Sequence, residues 1–336
     1  MIRWILSLLL ITVLGAAAVA WDARERLRSP LPVTETTLLQ FETGSSLSGL
    51  INRLHRDGLL GHPRTGFYLR VYARITDSAR NLHAGEYALQ PGLTPIALLE
   101  LLASGAVVEY SFTIIEGWTT RELLVALRAE EALSWNLGEA LPETEHLLTE
   151  LGVGDGHAEG RFLPETYRYA RGTTVTSLLL RAYHAMERAL EQAWAQRASD
   201  LPLKSAYEAL TLASIVEKET GVASERGTIA GVFTRRLRKN MRLQTDPTVI
   251  YGIGPNFDGD IRYRDLRTDT PYNTYTRGGL PPTPICNPGV AALIAAVQPE
   301  AGTALYFVSR GDGSHVFSDT LEAHNAAVRR YQLRRR

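Results

Sequence analysis

The chain opens with a run of uncharged, mostly apolar residues from Trp4 to Trp21. At the helical rise of ~1.5 Å per residue this run is about 27 Å long, close to the thickness of a bilayer core. The pattern therefore predicts a membrane-spanning helix over residues 4–21. Residues 22–36 are polar and broken by proline, which is typical of a linker.

The sequence leaves open whether this helix is retained. A signal peptidase could cut after the small residues AVA at positions 18–20, whereas Trp4 and Trp21 are placed like the interfacial anchors of a retained helix. Arginines on both flanks do not fix the orientation. In either case, we expect the rest of the chain to work outside the cytoplasmic membrane.

Residues 37–105 alternate between strand-like and helical spacing of apolar positions. A strand is predicted at TLLQFE, followed by a helix in which Leu47, Leu50, Ile51 and Leu54 share one face. A second helix is predicted in TGFYLRVYARI, and a strand, a turn and a helix in HAGEYALQPGLTPIALLELLASG. Gly105 is a typical C-terminal stop for that last helix. The pattern predicts a small α+β module.

Residues 106–336 also combine both periodicities. They begin with a strand and a helix in VEYSFTIIEGWTTRELLVAL, where Thr119 and Glu122 have the spacing of a capping box and Glu116 is a turn residue. Further helices are predicted in VTSLLLRAYHAMERALEQAWAQRA, ASERGTIAGVFTRRLRKNM and GVAALIAAV and from about Thr320, and strands in ALYFVS and HVFS. The predicted fold class is α+β: an N-terminal membrane helix, a small module and a larger mixed α/β domain.

One more predicted helix, TLASIVEKETGVASERG, carries two carboxylates, Glu217 and Glu219. Residues three, four and seven positions earlier share a helix face, so Glu219 lies over the apolar Val216, Ile215 and Leu212. Burial disfavours a charged carboxylate, so we expect a raised pKa at Glu219, as a general acid needs near neutral pH. Glu217 has a more mixed face and is expected to orient its neighbours or to face solvent. A solvated or ion-paired Glu219 is the alternative that periodicity leaves open.

The amino-acid composition and the absence of several motifs exclude some classes of function. The 336 residues carry 36 basic and 36 acidic side chains, a balance that gives no sign of nucleic-acid binding. Cys286 is the only cysteine, which excludes an internal disulfide, and the sequence has no cluster with zinc spacing. It also has no P-loop, G-x-G-x-x-G or G-x-S-x-G motif. We therefore predict no metal and no cofactor.

Two long blocks, ASIVEKETGVASERGTIAGVFTRRLRKNMRLQTDPTVIYG and PYNTYTRGGLPPTPICNPG, resemble the endolytic murein transglycosylases, the MltG (YceG-like) family. The similarity extends over nearly the whole chain. It implies that Glu219, the second acid of EKET, is catalytic and that residues 37–105 form a LysM-like, glycan-binding module. It also implies a single-pass anchor in the bacterial inner membrane, with residues 1–3 in the cytoplasm and the catalytic YceG-like domain, residues 106–336, in the periplasm.

The resemblance further implies cleavage of the bond between N-acetylmuramic acid and N-acetylglucosamine within nascent peptidoglycan strands, which terminates their elongation. The muramoyl 6-hydroxyl attacks its own anomeric carbon, so a 1,6-anhydro end forms and no water is consumed. Peptidoglycan strands are the implied substrate. Penicillin-binding proteins of the synthesis machinery are implied as partners, and no nucleic-acid partner is expected.

Substrate-binding residues are expected within the same two blocks. Amide, hydroxyl and aromatic side chains suit sugar hydroxyls, N-acetyl groups and sugar faces, and the candidates are Gln244, Asp246, Asn273 and Tyr275. Glu217 and Thr245 are expected to position the site residues without contacting the substrate themselves. The alternative role for Asp246 is to cap a turn or the next helix. Asn287 is a candidate cap for the helix that follows it.

The other polar residues have simpler expected roles. The basic run from Arg235 to Arg242 is expected to be a solvated helix face, with contact to acidic stem peptides as the alternative. His157, His315 and His324 are expected to be structural or on the surface, and Cys286 to be a small packed side chain.

Two other functions stay open at this point. A water-using muramidase would need a second carboxylate beside Glu219, and Asp246 and Glu225 are the candidates. A non-catalytic scaffold that binds the cell wall would use Glu219 only for its structure.

Overall fold

The computed structural model describes residues 2–42 and 44–333. The chain divides into two compact units, Met1–Tyr110 with Arg168–Gly172 and Ser111–Tyr167 with Thr173–Arg336. Each unit has its own hydrophobic core. Helices and short antiparallel strands occur in both, so the α+β class predicted from the sequence is confirmed.

The first unit begins with α1 (Ile2–Arg28). Among the residues that the structure describes, α1 is the helix whose length and composition would allow it to cross a membrane. It continues beyond the predicted span to Arg28, and Leu27 near its end is buried. Leu31 and Val33 are buried as well. The predicted linker over residues 22–36 is therefore partly helical and packed into a core, because its scattered apolar residues find partners there.

The rest of this unit has the predicted order of elements: β1 (Thr37–Phe41), α2 (Leu47–Arg56), α3 (Pro63–Ile75), β2 (Gly85–Leu89) and α4 (Pro95–Ser104). The two strands form an antiparallel pair. The apolar face predicted for α2 is confirmed, since Leu50, Ile51 and Leu54 are buried and Ser46 caps the helix. Gly105 ends α4 in the left-handed conformation, at φ 68°.

The boundary between the units falls within β3 (Glu109–Thr113) and β4 (Thr166–Ala170), which form a two-stranded sheet. The helices of the second unit are α5 (Thr120–Arg128), α6 (Leu147–Glu150), α7 (Val175–Ala195), α8 (Ala206–Glu219), α9 (Arg226–Arg238), α10 (Asp246–Ile253), α11 (Tyr263–Arg267), α12 (Val290–Val297) and α13 (Leu321–Tyr331). Its second sheet is an antiparallel hairpin of β5 (Tyr306–Ser309) and β6 (His315–Ser318).

Helix α8 is the central helix of the second unit. Ser205 caps its start, and its middle turns pack against α7, α9 and α12. Leu210, Leu212, Ile215 and Val216 are fully buried, and burial of such a side chain contributes about 1.5–3 kcal/mol. The helix is thus enclosed on more than the one face expected of an amphipathic helix. Its C-terminal turn is held rigidly because the preceding turns are locked in the core.

Local predictions around α5 are confirmed. Thr119 Oγ1 accepts a hydrogen bond from the amide of Glu122 at 3.2 Å, and the Glu122 carboxylate accepts one from the amide of Thr119 at 2.8 Å, which completes the capping box. Glu116 lies in the turn before this helix. Cys286 is fully buried, as expected of a packed side chain.

Gly231 on α9 lies against the backbone of a neighbouring loop. A Cβ at this position would clash with the carbonyl oxygen of Glu300. We expect Gly231→Ala to lower the free energy of unfolding by about 1–3 kcal/mol, because the loop must move aside. Urea denaturation in detergent measures the change. Gly278→Ala is the control, since no atom of the residues that the structure describes lies within 4 Å of its added Cβ. Equal stability of the two variants would contradict this packing.

Candidate active site

Glu219 is the last residue of α8, at the point where the helix leaves the core. Its side chain lines a cavity of about 530 Å³ in the second unit. The walls also come from α9, the start of α10, the β5–β6 hairpin and α13. The lining is polar and aromatic, and includes Arg236, Gln244, Asp246, Tyr275, Tyr306, Phe307, His315 and His324.

The Glu219 carboxyl is held in a protein environment that favours its neutral form. Burial raises its pKa to about 7. A hydrogen bond donated by Thr245 Oγ1 opposes this, the negative charge of Asp246 adds to it, and the positive charge of Arg236 opposes it more weakly. The raised pKa expected from the apolar helix face is confirmed. A large fraction of Glu219 is therefore protonated near neutral pH.

Glu217 is buried rather than facing solvent, with 6% of its side chain exposed. Its Oε2 accepts a hydrogen bond at 2.9 Å from the amide of Gly289, at the start of α12, and its Oε1 lies 3.6 Å from the guanidinium of Arg226. Burial raises its pKa, with an added contribution from Glu116. Of the two expected roles, orienting the neighbouring elements is the one that these contacts support.

The loop before α10 is fixed by buried hydrogen bonds. Gln244 lines the cavity with φ 50°, a left-handed conformation that is uncommon outside glycine. The amide of Gln244 donates to the carbonyl of Thr274 at 3.2 Å, and the amide of Thr245 donates to Thr274 Oγ1 at 3.1 Å. The hydroxyls of Thr248 and Thr274 are 2.9 Å apart. This network holds the Thr245 hydroxyl in place to bind Glu219.

Asp246 and Tyr275 meet across the cavity wall. Asp246 begins α10 without a cap hydrogen bond from its predecessor, and its Oδ1 accepts a hydrogen bond from the Tyr275 hydroxyl at 2.6 Å. Asn273 is placed differently, since it is buried and is not one of the lining residues. Its Nδ2 donates to three backbone carbonyls, and its Oδ1 accepts from the amide of Tyr275 at 2.9 Å. Asn273 thus shapes the loop that presents Tyr275.

The expectation that the basic run from Arg235 to Arg242 is solvated is wrong for Arg236. It is buried, and it donates at 2.7 Å to the carbonyls of Leu305 and Leu243 while its guanidinium lies 5.2 Å from the ring centre of Tyr306. It lies three residues after the buried Phe233 on α9, so the spacing argument that identified Glu219 also applies here. The other basic residues of this run are half-buried or exposed.

His315 also lies in the cavity wall, with 11% of its side chain exposed. Its Nδ1 is 2.8 Å from Oε2 of Glu225, and its amide donates to Oε1 of the same carboxylate at 2.9 Å. Its ring packs edge-on against Phe307, with ring centres 5.4 Å apart. Glu225, a candidate second carboxylate, is thus engaged by His315 and does not itself line the cavity.

His324 lines the cavity from α13. Its ring stacks on Tyr306, with ring centres 5.3 Å apart, and burial lowers its pKa. Its Nδ1 is buried and has no hydrogen-bond partner among the residues that the structure describes. His324 and His315 line the cavity, although no local sequence pattern distinguishes them as site residues. His157, by contrast, lines a different cavity and is paired there with Glu145.

Asn287 is not the cap of α12 that the sequence suggests, because Gly289 occupies that position. Its Oδ1 accepts a hydrogen bond from the amide of Phe162, and its Nδ2 donates to the carbonyl of Trp118, both at 3.0 Å. Asn287 is fully buried and joins loops that are distant in sequence. Nothing in the Asn-Pro pair itself reveals these partners.

Comparison with known proteins decides the family. The model of the YceG-like family matches residues 39–330. The chain belongs to the YceG-like family. The resemblance expected from the EKET block is therefore confirmed.

Relatives of this YceG-like protein include named enzymes. An endolytic murein transglycosylase of Bacillus subtilis (strain 168) is 30% identical over 311 residues, which cover 88% of this chain and 85% of that protein. One from Streptococcus pneumoniae (strain D39) is 29% identical over 321 residues, covering 85% of this chain but 56% of that longer protein. The crystal structure of a yceG-like protein from Listeria monocytogenes is 27% identical and has a TM-score of 0.52, covering 88% of this chain and 99% of that one.

The hydroxyl of Thr245 is expected to tune the Glu219 carboxyl of this YceG-like protein. A hydrogen bond to the charged form lowers a pKa, so its removal in Thr245→Val should raise the pKa of Glu219 above about 7. NMR titration of the labelled carboxyl carbon measures the shift. Thr149→Val is the matched control, because Thr149 also donates to a carboxylate, that of Asp155, outside this cavity. An unchanged Glu219 pKa in Thr245→Val would refute the role of this hydrogen bond.

Proposed function

We propose that this YceG-like protein is an endolytic murein transglycosylase, a lyase that cleaves the bond between N-acetylmuramic acid and N-acetylglucosamine within nascent strands. The observation that carries the proposal is the buried Glu219 carboxyl, with a pKa of about 7, in the wall of an open polar and aromatic cavity. Relatives named endolytic murein transglycosylases support this class of reaction. The proposed product carries a 1,6-anhydro end, which terminates strand elongation.

The first step uses Glu219 as a general acid. The protonated carboxyl donates its proton to the glycosidic oxygen while the bond from that oxygen to the muramoyl anomeric carbon breaks. Positive charge then develops on the sugar, and the carboxylate just formed lies in position to stabilise it. Thr245 favours this carboxylate because its hydroxyl donates to the charged form.

The second step returns the proton. The muramoyl 6-hydroxyl attacks the anomeric carbon of the same sugar, and Glu219 accepts the proton that this hydroxyl loses. The nucleophile belongs to the substrate and is already close to the reacting carbon, so little entropy is lost in positioning it. A single carboxyl therefore suffices, whereas a glycoside hydrolase needs two.

The remaining sequence candidates receive roles in binding and positioning. Gln244, Asp246 and Tyr275 line the cavity and are proposed to contact the sugars. Asn273 is proposed to act through Tyr275, whose amide it binds. Glu217 is proposed to hold the end of α8 in position through the start of α12.

The first unit is proposed to bring the enzyme to its substrate. The β1–α2–α3–β2 arrangement supports a LysM-like, glycan-binding role for residues 37–105, and α1 supports a retained single-pass anchor in the inner membrane. We place residues 106–336 in the periplasm as the catalytic domain. Penicillin-binding proteins are the proposed partners in wall synthesis.

A water-using muramidase is the second candidate, because Asp246 lines the same cavity as Glu219 and two carboxylates are what that reaction requires. The products separate the two reactions. Anhydro ends identify a lyase, and reducing ends identify a hydrolase, in mass spectra of digested peptidoglycan. Peptidoglycan binding without any released fragment would instead favour a scaffold.

Replacement of the proposed acid is the direct test. Glu219→Gln keeps the shape of the side chain but has no proton to transfer, so we expect strand cleavage to fall by about 10²–10⁴-fold or more. Mass spectrometry of fragments released from intact sacculi by the full chain measures the loss. Glu191→Gln, on the exposed face of α7, is the control and should match the wild type. An active Glu219→Gln enzyme would defeat the assignment.

The pH dependence of cleavage should report the same group. Glu219 acts in its protonated form, and its pKa is raised to about 7, so activity is expected to fall as the pH rises through about 7. Initial rates on soluble strands between pH 5 and 9, a range set around that value, give the profile. A rate that keeps rising across this interval would contradict an acid role for Glu219.

A further inference from the structure

The pair Glu225–His315 is an arrangement that the one-carboxyl mechanism does not use. Both side chains are largely buried, with 15% and 11% exposed, and His315 lines the cavity that contains Glu219. Both carboxylate oxygens of Glu225 bind the same residue, one at the ring Nδ1 and one at the backbone amide. The ring is thereby fixed at two points.

This contact also determines where the imidazole carries its proton. A carboxylate has no proton to give, so Nδ1 of His315 must be the donor in its contact with Glu225. In the neutral ring, Nε2 is then left with a free lone pair and can only accept a hydrogen bond. No partner for Nε2 exists among the residues that the structure describes, where the other contacts of the ring are with Phe307 and Phe317.

His315 lines the same cavity as the proposed acid, Glu219. Arg236, Asp246, Tyr275 and His324 are other polar groups in the lining of this cavity. A largely buried imidazole that lines a cavity, is oriented by a carboxylate and has no protein partner at Nε2 is suited to contact with a substrate hydroxyl.

We propose that His315, oriented by Glu225, is a further catalytic residue of this enzyme whose Nε2 accepts a hydrogen bond from a hydroxyl of the sugar bound beside Glu219. The inference rests on the proposed function. It adds a substrate contact from the β5–β6 hairpin to the acid that α8 provides. Glu225 is a positioning residue, because it acts only by fixing the tautomer and direction of the ring.

The chain provides a matched control for this pair. His157 and Glu145 form another histidine–carboxylate contact, here from Nε2 to Oε1 at 3.4 Å, in a different cavity of the same unit. Glu225→Gln should reverse the tautomer, because the new amide group donates to Nδ1 and moves the ring proton to Nε2. Glu145→Gln makes the same chemical change where no substrate contact is proposed.

The experiment measures kcat and KM of the full-length protein in detergent on soluble, uncrosslinked peptidoglycan strands. We expect Glu225→Gln and His315→Phe to lower kcat by roughly tenfold or more, the effect of losing a hydrogen bond from a desolvated site. His315→Phe keeps an aromatic ring beside Phe307 and Phe317. Glu145→Gln should have wild-type kcat and KM. Thermal unfolding of each variant identifies any loss of folding.

Chemical rescue distinguishes substrate contact from packing. In His315→Ala, added imidazole should restore part of the lost kcat, whereas pyrrole, a ring of similar size without an acceptor lone pair, should not. Equal rescue by both rings, or wild-type rates in Glu225→Gln and His315→Phe, would overturn the proposal. These outcomes are separate from failure of the proposed function, which an active Glu219→Gln enzyme would show.

Discussion

The site depends on one constraint: a carboxyl group must stay in contact with an open cavity while its surroundings keep it partly neutral. Helix α8 achieves this by burying its middle turns in the core and ending at Glu219. The desolvation that raises the pKa of Glu219 comes from the same packing that stabilises the unit. Reactivity and stability are therefore coupled, and a change that loosened α8 would affect both.

The polar groups around Glu219 stabilise its charged form and hold the surrounding loops in place. Thr245 donates to the carboxylate, and the loop that carries Thr245 is tied by buried hydrogen bonds to Thr274. Such bonds are costly to leave unpaired in a desolvated site, so the loop has few alternative conformations. Glu217 also fixes the end of α8, because its carboxylate accepts a hydrogen bond from the amide of Gly289, the residue that precedes α12.

Much of this could be predicted from the sequence where periodicity is strong. The strand and helices of residues 37–105, the capping box of α5 and the raised pKa of Glu219 all follow from local spacing. Arg236 follows from the same spacing on α9, although a run of basic residues favours a solvated interpretation. His315 and Asn287 could not be predicted, because their partners, Glu225 for one and Phe162 for the other, are 90 and 125 residues away.

The walls of the cavity differ in how firmly they are held. Helix α8 is enclosed by the core, whereas α13 is largely exposed and Ala327 is its buried residue. Local opening costs least where few apolar contacts must be broken, so we expect α13 to open more easily than α8. Opening at α13 would admit a long polymer from the side at any point along its length, without threading from an end, as the proposed endolytic cleavage requires.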